Sequence, residues 1–239
     1  MILTIANQKG GTAKSTTAAA LAQAASSRGK RTLAIDLDPQ ANLTFFLGAI
    51  SEAPGTYDLL TGKKPEIQAT NGGIDVIAGS WDLQTIGSAQ GSARRLQDNL
   101  TPIAAKYDFV IIDTPPTAGE LQYNALMASD KLIIPLQADI LGLQGLYQML
   151  DTAAQIQARN PSLKAAGAVI TRYAGRSTLE RQMLEAIRSN DAIPLIGIIR
   201  EAVAIREAQT MQQSIYSYAP KSKPALDYMQ LFDTITSKK

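Results

Sequence analysis

The chemistry of this chain is concentrated in one stretch, Asn7-Gln8-Lys9-Gly10-Gly11-Thr12-Ala13-Lys14-Ser15-Thr16-Thr17. Glycines let a backbone curl so that successive N–H groups point inward, and a helix opening at this point adds its positive end, which together make a cradle for phosphate. Lys14 can reach the terminal phosphates, and the Ser15 hydroxyl can ligate Mg²⁺. Such a loop has to be mounted between a strand and a helix. Both are legible: Ile2-Leu3-Thr4-Ile5-Ala6 is a short apolar run, and Thr16 to Ala25 is an Ala-rich helical segment.

Carboxylates belong at the same edge. Arg31-Thr32-Leu33-Ala34-Ile35-Asp36 reads as a buried strand delivering Asp36-Leu37-Asp38-Pro39-Gln40, and Phe109-Val110-Ile111-Ile112-Asp113 is a second strand ending in an acid. Open parallel sheets gather their chemistry at the carboxyl ends of strands, which puts Asp36 and Asp38 beside the phosphate loop. Asp113 has the Walker B arrangement, a strand-end carboxylate that positions Mg²⁺. Thr114-Pro115-Pro116 follows, and the two prolines stop the strand and stiffen the turn.

The elements that must carry these groups alternate in type. Strands are expected at 74–78, 131–136, 165–171 and 195–199, and helices at 42–48, 93–105, 143–158, 178–189 and 225–236. Residues 51–73, rich in Gly, Pro and Lys, read as surface loops with one helical turn near Tyr57–Leu60. This alternation implies an α/β fold, a mostly parallel sheet with helices on both faces, in a single domain spanning 1–239.

At 239 residues and 45% hydrophobic, the chain can bury one full core. No apolar run reaches membrane-span length and no leader pattern opens the chain, so a cytoplasmic protein is expected. Without cysteine or histidine there is neither a disulfide framework nor a zinc or iron–sulfur site. Net charge is +2, yet between Thr171 and Lys223 eight basic residues, six of them arginine, stand against five acids. That bias suits either a polyanion partner or a solvated helical face.

The phosphate loop does not fit the ordinary pattern G-x-x-x-x-G-K-[ST], because Gln8 and Ala13 occupy its two glycine positions. It fits the deviant form K-G-G-x-x-K-[ST]. Here the chain resembles the ParA/MinD group of P-loop ATPases, with Lys9 at the position of that group's signature lysine, and the resemblance covers nearly the whole chain. Asp36-Leu37-Asp38-Pro39-Gln40 with Ala41-Asn42-Leu43-Thr44 looks like the ParA switch I, and residues 109–120 look like Walker B and switch II. Ala202 to Ala208 and Ser214 to Lys223 are similar to the C-terminal part of plasmid and mobile-element ParA proteins. MinD proteins usually lack the Pro-Gln and end in a basic amphipathic membrane helix. Here the last helix is flanked by acids, with only Lys238 and Lys239 at its end, so docking on the core is expected. The chain opens directly on its first strand, as in the short relatives without an N-terminal helix-turn-helix.

The resemblance implies a switch that uses ATP and Mg²⁺. Gly10, Gly11, Thr12, Ala13, Lys14, Ser15 and Thr16 would bind the nucleotide, and Ser15, Asp38 and Asp113 would serve the metal. Lys9, Lys14 and Asp38 would be catalytic, with Lys9 reaching across an ATP-dependent homodimer to the partner's phosphates and Asp38 orienting the attacking water. The dimer would bind non-specific DNA through Arg176, Arg200 and Arg206 and so associate with the nucleoid. A ParB-like activator would stimulate slow hydrolysis, and the cargo would be plasmid, mobile-element or chromosomal DNA. The alternative within the same group is a MinD-like membrane-surface positioning ATPase.

Overall fold

The structure is a computed structural model and describes residues 1–87 and 93–237. Eight strands form one sheet: β1 (Ile2–Ile5), β2 (Thr32–Asp36), β3 (Gln68–Ala69), β4 (Asp75–Ile77), β5 (Phe109–Asp113), β6 (Lys131–Leu136), β7 (Lys164–Tyr173) and β8 (Leu195–Arg200). Their order across the sheet is β3-β4-β2-β5-β1-β6-β7-β8. Every neighbouring pair is parallel except β3 with β4. The helices are α1 (Lys14–Ser27), α2 (Asn42–Phe46), α3 (Thr56–Leu60), α4 (Arg95–Ala104), α5 (Glu120–Met127), α6 (Ile140–Gln157), α7 (Thr178–Arg188), α8 (Val203–Thr210), α9 (Ile215–Tyr218) and α10 (Lys223–Thr236).

The alternation of side chains along each central strand builds two cores. Phe109 and Ile111 of β5 pack with α1 and α10, while Val110 and Ile112 pack with α3, α4 and α5. A second group on the latter face joins α6 and α7 to β6 and β7 through Leu146, Met149, Ile134 and Ile170. Helix α1 is buried nearly all round, and its run of alanines is what lets sheet, α2 and α10 all approach it. The apolar face of α10 (Ala225, Tyr228, Leu231, Phe232, Ile235) is spent on this core, as its sequence suggested. Lys238 and Lys239 lie outside the described residues.

Several elements were not legible beforehand. Strand β3 is a two-residue edge inside the expected loop region, steadied by a two-way amide pairing of Gln68 with the Ile50 backbone. A 3₁₀ turn at Trp81–Thr85 follows β4. Helix α5 was missed because it buries Gln122 and Asn124, which break its apolar periodicity. Asn124 spends its carbonyl on the Leu96 N–H at the start of α4 and its amide on Glu120.

Candidate nucleotide site

The phosphate loop runs from the end of β1 into α1. Asn7 is fully buried and shapes its entry, donating from Nδ2 to the Pro135 carbonyl and accepting from the Lys9 N–H. Gly11 (φ 75°) and Ala13 (φ 63°) are both left-handed. At Gly11 this costs nothing, but an alanine there carries about 1–2 kcal/mol of steric strain. The Thr171 hydroxyl at the end of β7 donates to the loop through the Thr12 carbonyl, and Gln137 donates to the Gly11 carbonyl. Helix α6 crosses close by: a Cβ on Gly145 would stand 3.0 Å from the side-chain Oδ1 of Asn7.

The predicted metal and phosphate groups do converge. Lys14 is buried and donates to the Lys9 carbonyl at 3.3 Å. Burial lowers its pKa, opposed by the charges of Asp113 and Asp38. Asp113 ends β5 with its carboxylate fully buried and neither oxygen in a hydrogen bond. Burial, reinforced by the charge of Asp36, pushes its pKa well up, against the pull of the Ser15 hydroxyl and Lys14. Asp38 is buried and receives the Gln40 N–H.

Asp36, quoted in the sequence but given no role, proves to be the anchor of the segment after β2. It accepts from the Asp38 N–H on one oxygen and from the Thr44 N–H and hydroxyl on the other. Burial raises its pKa to about 6 despite these donors. Gly79 from the neighbouring strand end lets the two segments approach closely, because a Cβ would lie 3.0 Å from the Asp36 carboxyl carbon.

Lys9 lies folded back onto its own chain. Its ammonium is 2.9 Å from both carboxylate oxygens of Asp139, the residue that also caps α6 by accepting from the Gly142 N–H. Gln8 bridges to Thr152 on α6 and to Gln122 on α5.

The three predicted DNA-contacting arginines are placed unequally. Arg176 is exposed in the β7–α7 loop and Arg206 is exposed on α8. Arg200, at the end of β8, is already engaged by Asp227 of α10, which accepts from its guanidinium and its backbone N–H. Beside Arg206 a cleft opens against the loop, lined by Ala13, Thr16, Arg172, Glu201, Gln209 and Tyr228. Arg172 takes a left-handed backbone (φ 54°) at its rim. Sequence reasoning missed Asn7, Gln137, Asp139, Thr171 and Arg172. Apart from Asn7, which follows β1, all sit at or just past the ends of β6 and β7, and this position was the available signal.

A deviant phosphate loop at the head of a buried helix, with a buried acid on the adjoining strand, defines a P-loop nucleotide-binding protein. Residues 1–165 match a family model described as an AAA domain. The chain is 34% identical over 251 residues to the chromosome partitioning protein ParA of Caulobacter vibrioides, covering 99% of this chain and 94% of that one. It is also 34% identical over 241 residues to the chromosome-partitioning ATPase Soj of Thermus thermophilus, covering 99% and 95%. Among solved structures it resembles the septum site-determining protein MinD of Pyrococcus horikoshii, complexed with Mg-ADP, at 25% identity and a TM-score of 0.81 over 99% of this chain and 96% of that one. The chain belongs to the ParA/MinD superfamily of P-loop ATPases.

Proposed function

We propose that this chain is an ATP-dependent partition ATPase, which dimerises on ATP, binds DNA without regard to sequence and is reset by hydrolysis that a ParB-like partner stimulates. The observation that carries the reading is Asp113: a buried carboxylate with no hydrogen bond of ordinary geometry, beside the Ser15 hydroxyl and Lys14 at the foot of the phosphate loop. An uncompensated buried acid is costly unless a cation is to meet it. No cluster of three metal-ligating side chains exists among the described residues, which fits Mg²⁺ held by one or two protein oxygens, water and phosphate. Ser15 and Asp113 would hold the Mg²⁺, which would supply positive charge against the phosphates.

The remaining work falls to this chain's residues. The loop N–H groups and Lys14 hold the phosphates, while the cleft beside Thr16 and Arg172 takes the base and ribose. Asp38 orients the attacking water, positioned by the segment that Asp36 anchors. Lys9, released from Asp139, reaches the phosphates of a second copy, so that the dimer forms only when ATP is present. Arg176 and Arg206 then meet DNA phosphates, and the protein is cytoplasmic and nucleoid-associated in this state. Packing of α10 on the core, rather than on a lipid surface, favours this over the MinD-like alternative.

Co-sedimentation tests the choice. With ATP and Mg²⁺ the protein should pellet with arbitrary duplex DNA, and with ADP it should not. Pelleting with anionic liposomes in place of DNA would replace the partition reading with the membrane one.

A further inference from the structure

The contact between α8 and the phosphate loop carries more than packing. Gln209 of α8 donates from Nε2 to the Thr16 hydroxyl at 3.0 Å. Thr16 lies in the first turn of α1, next to Ser15. Both residues line the cleft with Ala13, Arg172, Arg206 and Tyr228, and it encloses only about 50 Å³. A ring the size of benzene occupies a cavity of ~150 Å³. A nucleobase that settles against Thr16 therefore competes with the Gln209 side chain for the same space. Helix α8 is also lightly anchored, with Ala208 its one fully buried residue, which is the character of an element that moves at small cost.

We infer that Gln209 is a positioning residue: its bond to Thr16 keeps α8 drawn onto the phosphate loop, and nucleotide entry breaks that bond and shifts α8 together with the exposed Arg206 it carries. The basic surface is thereby coupled to occupancy of the nucleotide cleft within one subunit. This rests on the nucleotide reading given above, and the test separates the two.

The chain has no cysteine, so Met211→Cys at the exposed end of α8 gives a single site for an environment-sensitive fluorophore. Labelled protein is titrated with Mg-ATP and Mg-ADP, alongside calorimetry on the unlabelled chain, with and without Gln209→Ala. The parent label should shift on nucleotide binding. Gln209→Ala should show most of that shift before nucleotide is added, and should bind Mg-ATP about 2- to 10-fold more tightly because no hydrogen bond has to be broken first. A residue with a merely structural role, or one that contacts the nucleotide directly, gives unchanged or weaker binding. Either result overturns the coupling, as does a label that responds equally in both proteins. Absence of nucleotide binding in the parent overturns the underlying reading as well.

Discussion

Asp36 and Asp113 are Cα partners across the β2–β5 pair, and both carboxylates are fully buried on the face of the sheet that α1 covers. Their environments differ. Asp36 has three hydrogen-bond donors, whereas Asp113 has none in bonding geometry. One acid is therefore satisfied by protein and the other is not.

Removing the second acid should separate stability from function. Asp113→Asn relieves a buried charge beside Asp36, and the nucleotide-free protein should gain on the order of 1 kcal/mol, or about 2–4 °C in Tm. The further stabilisation by Mg-ATP over ATP alone should disappear. Thermal melts of both proteins, with and without ligand, check this; a less stable nucleotide-free variant contradicts it.

A pH dependence follows from Asp36. Its folded pKa, about 6, lies above the ordinary carboxylate value, so the folded state binds the proton more tightly. The stability this group contributes is fully present below about pH 4 and is lost as pH rises through about 6, a change on the order of 2–3 kcal/mol. Urea unfolding from pH 4 to 7.5, comparing the parent with Asp36→Asn, isolates it: the parent's stability relative to the variant should fall across that window. A difference that rises with pH would refute the assignment.

The two loop lysines should behave differently. Lys14→Ala removes the buried cation nearest the phosphates and should weaken ATP binding by about 10- to 100-fold. Titration calorimetry giving parental affinity would sink that role.

Lys9→Ala breaks the ion pair with Asp139 yet leaves the cradle intact. Nucleotide should still bind within a few-fold, while ATP-dependent dimerisation and hydrolysis are lost. Light scattering that finds an unchanged ATP-bound dimer would remove Lys9 from the interface.

Surface arginines complete the set. Asp38→Ala should trap the ATP-bound dimer on DNA. In that background, replacing Arg176 and Arg206 should abolish DNA binding and leave the dimer. Binding should weaken with salt at a slope of roughly −0.9 per phosphate contact and should not distinguish two unrelated duplexes. Arg200→Ala should instead lower Tm, because it leaves the mostly buried Asp227 carboxylate unpaired. Filter binding over a salt series reads the first two expectations, and a flat salt response would give the arginine surface another purpose.

The sequence by itself determined the fold class and the phosphate-binding chemistry. Strands β2, β5 and β6 each carry an apolar run (Leu33–Ile35, Phe109–Ile112 and Leu132–Leu136), and the Lys9–Thr17 stretch has local rules that leave little freedom. Tertiary structure alone decided which partners those residues meet. Asp139 lies 130 positions from Lys9, and Gln209 lies 193 from Thr16. Such pairs arise because β6 lies beside β1 in the sheet and α8 folds back onto α1, a juxtaposition set by strand order and not by any local pattern. The same holds for Arg200, whose type and position suit a phosphate contact until Asp227 of α10 is seen to engage its guanidinium.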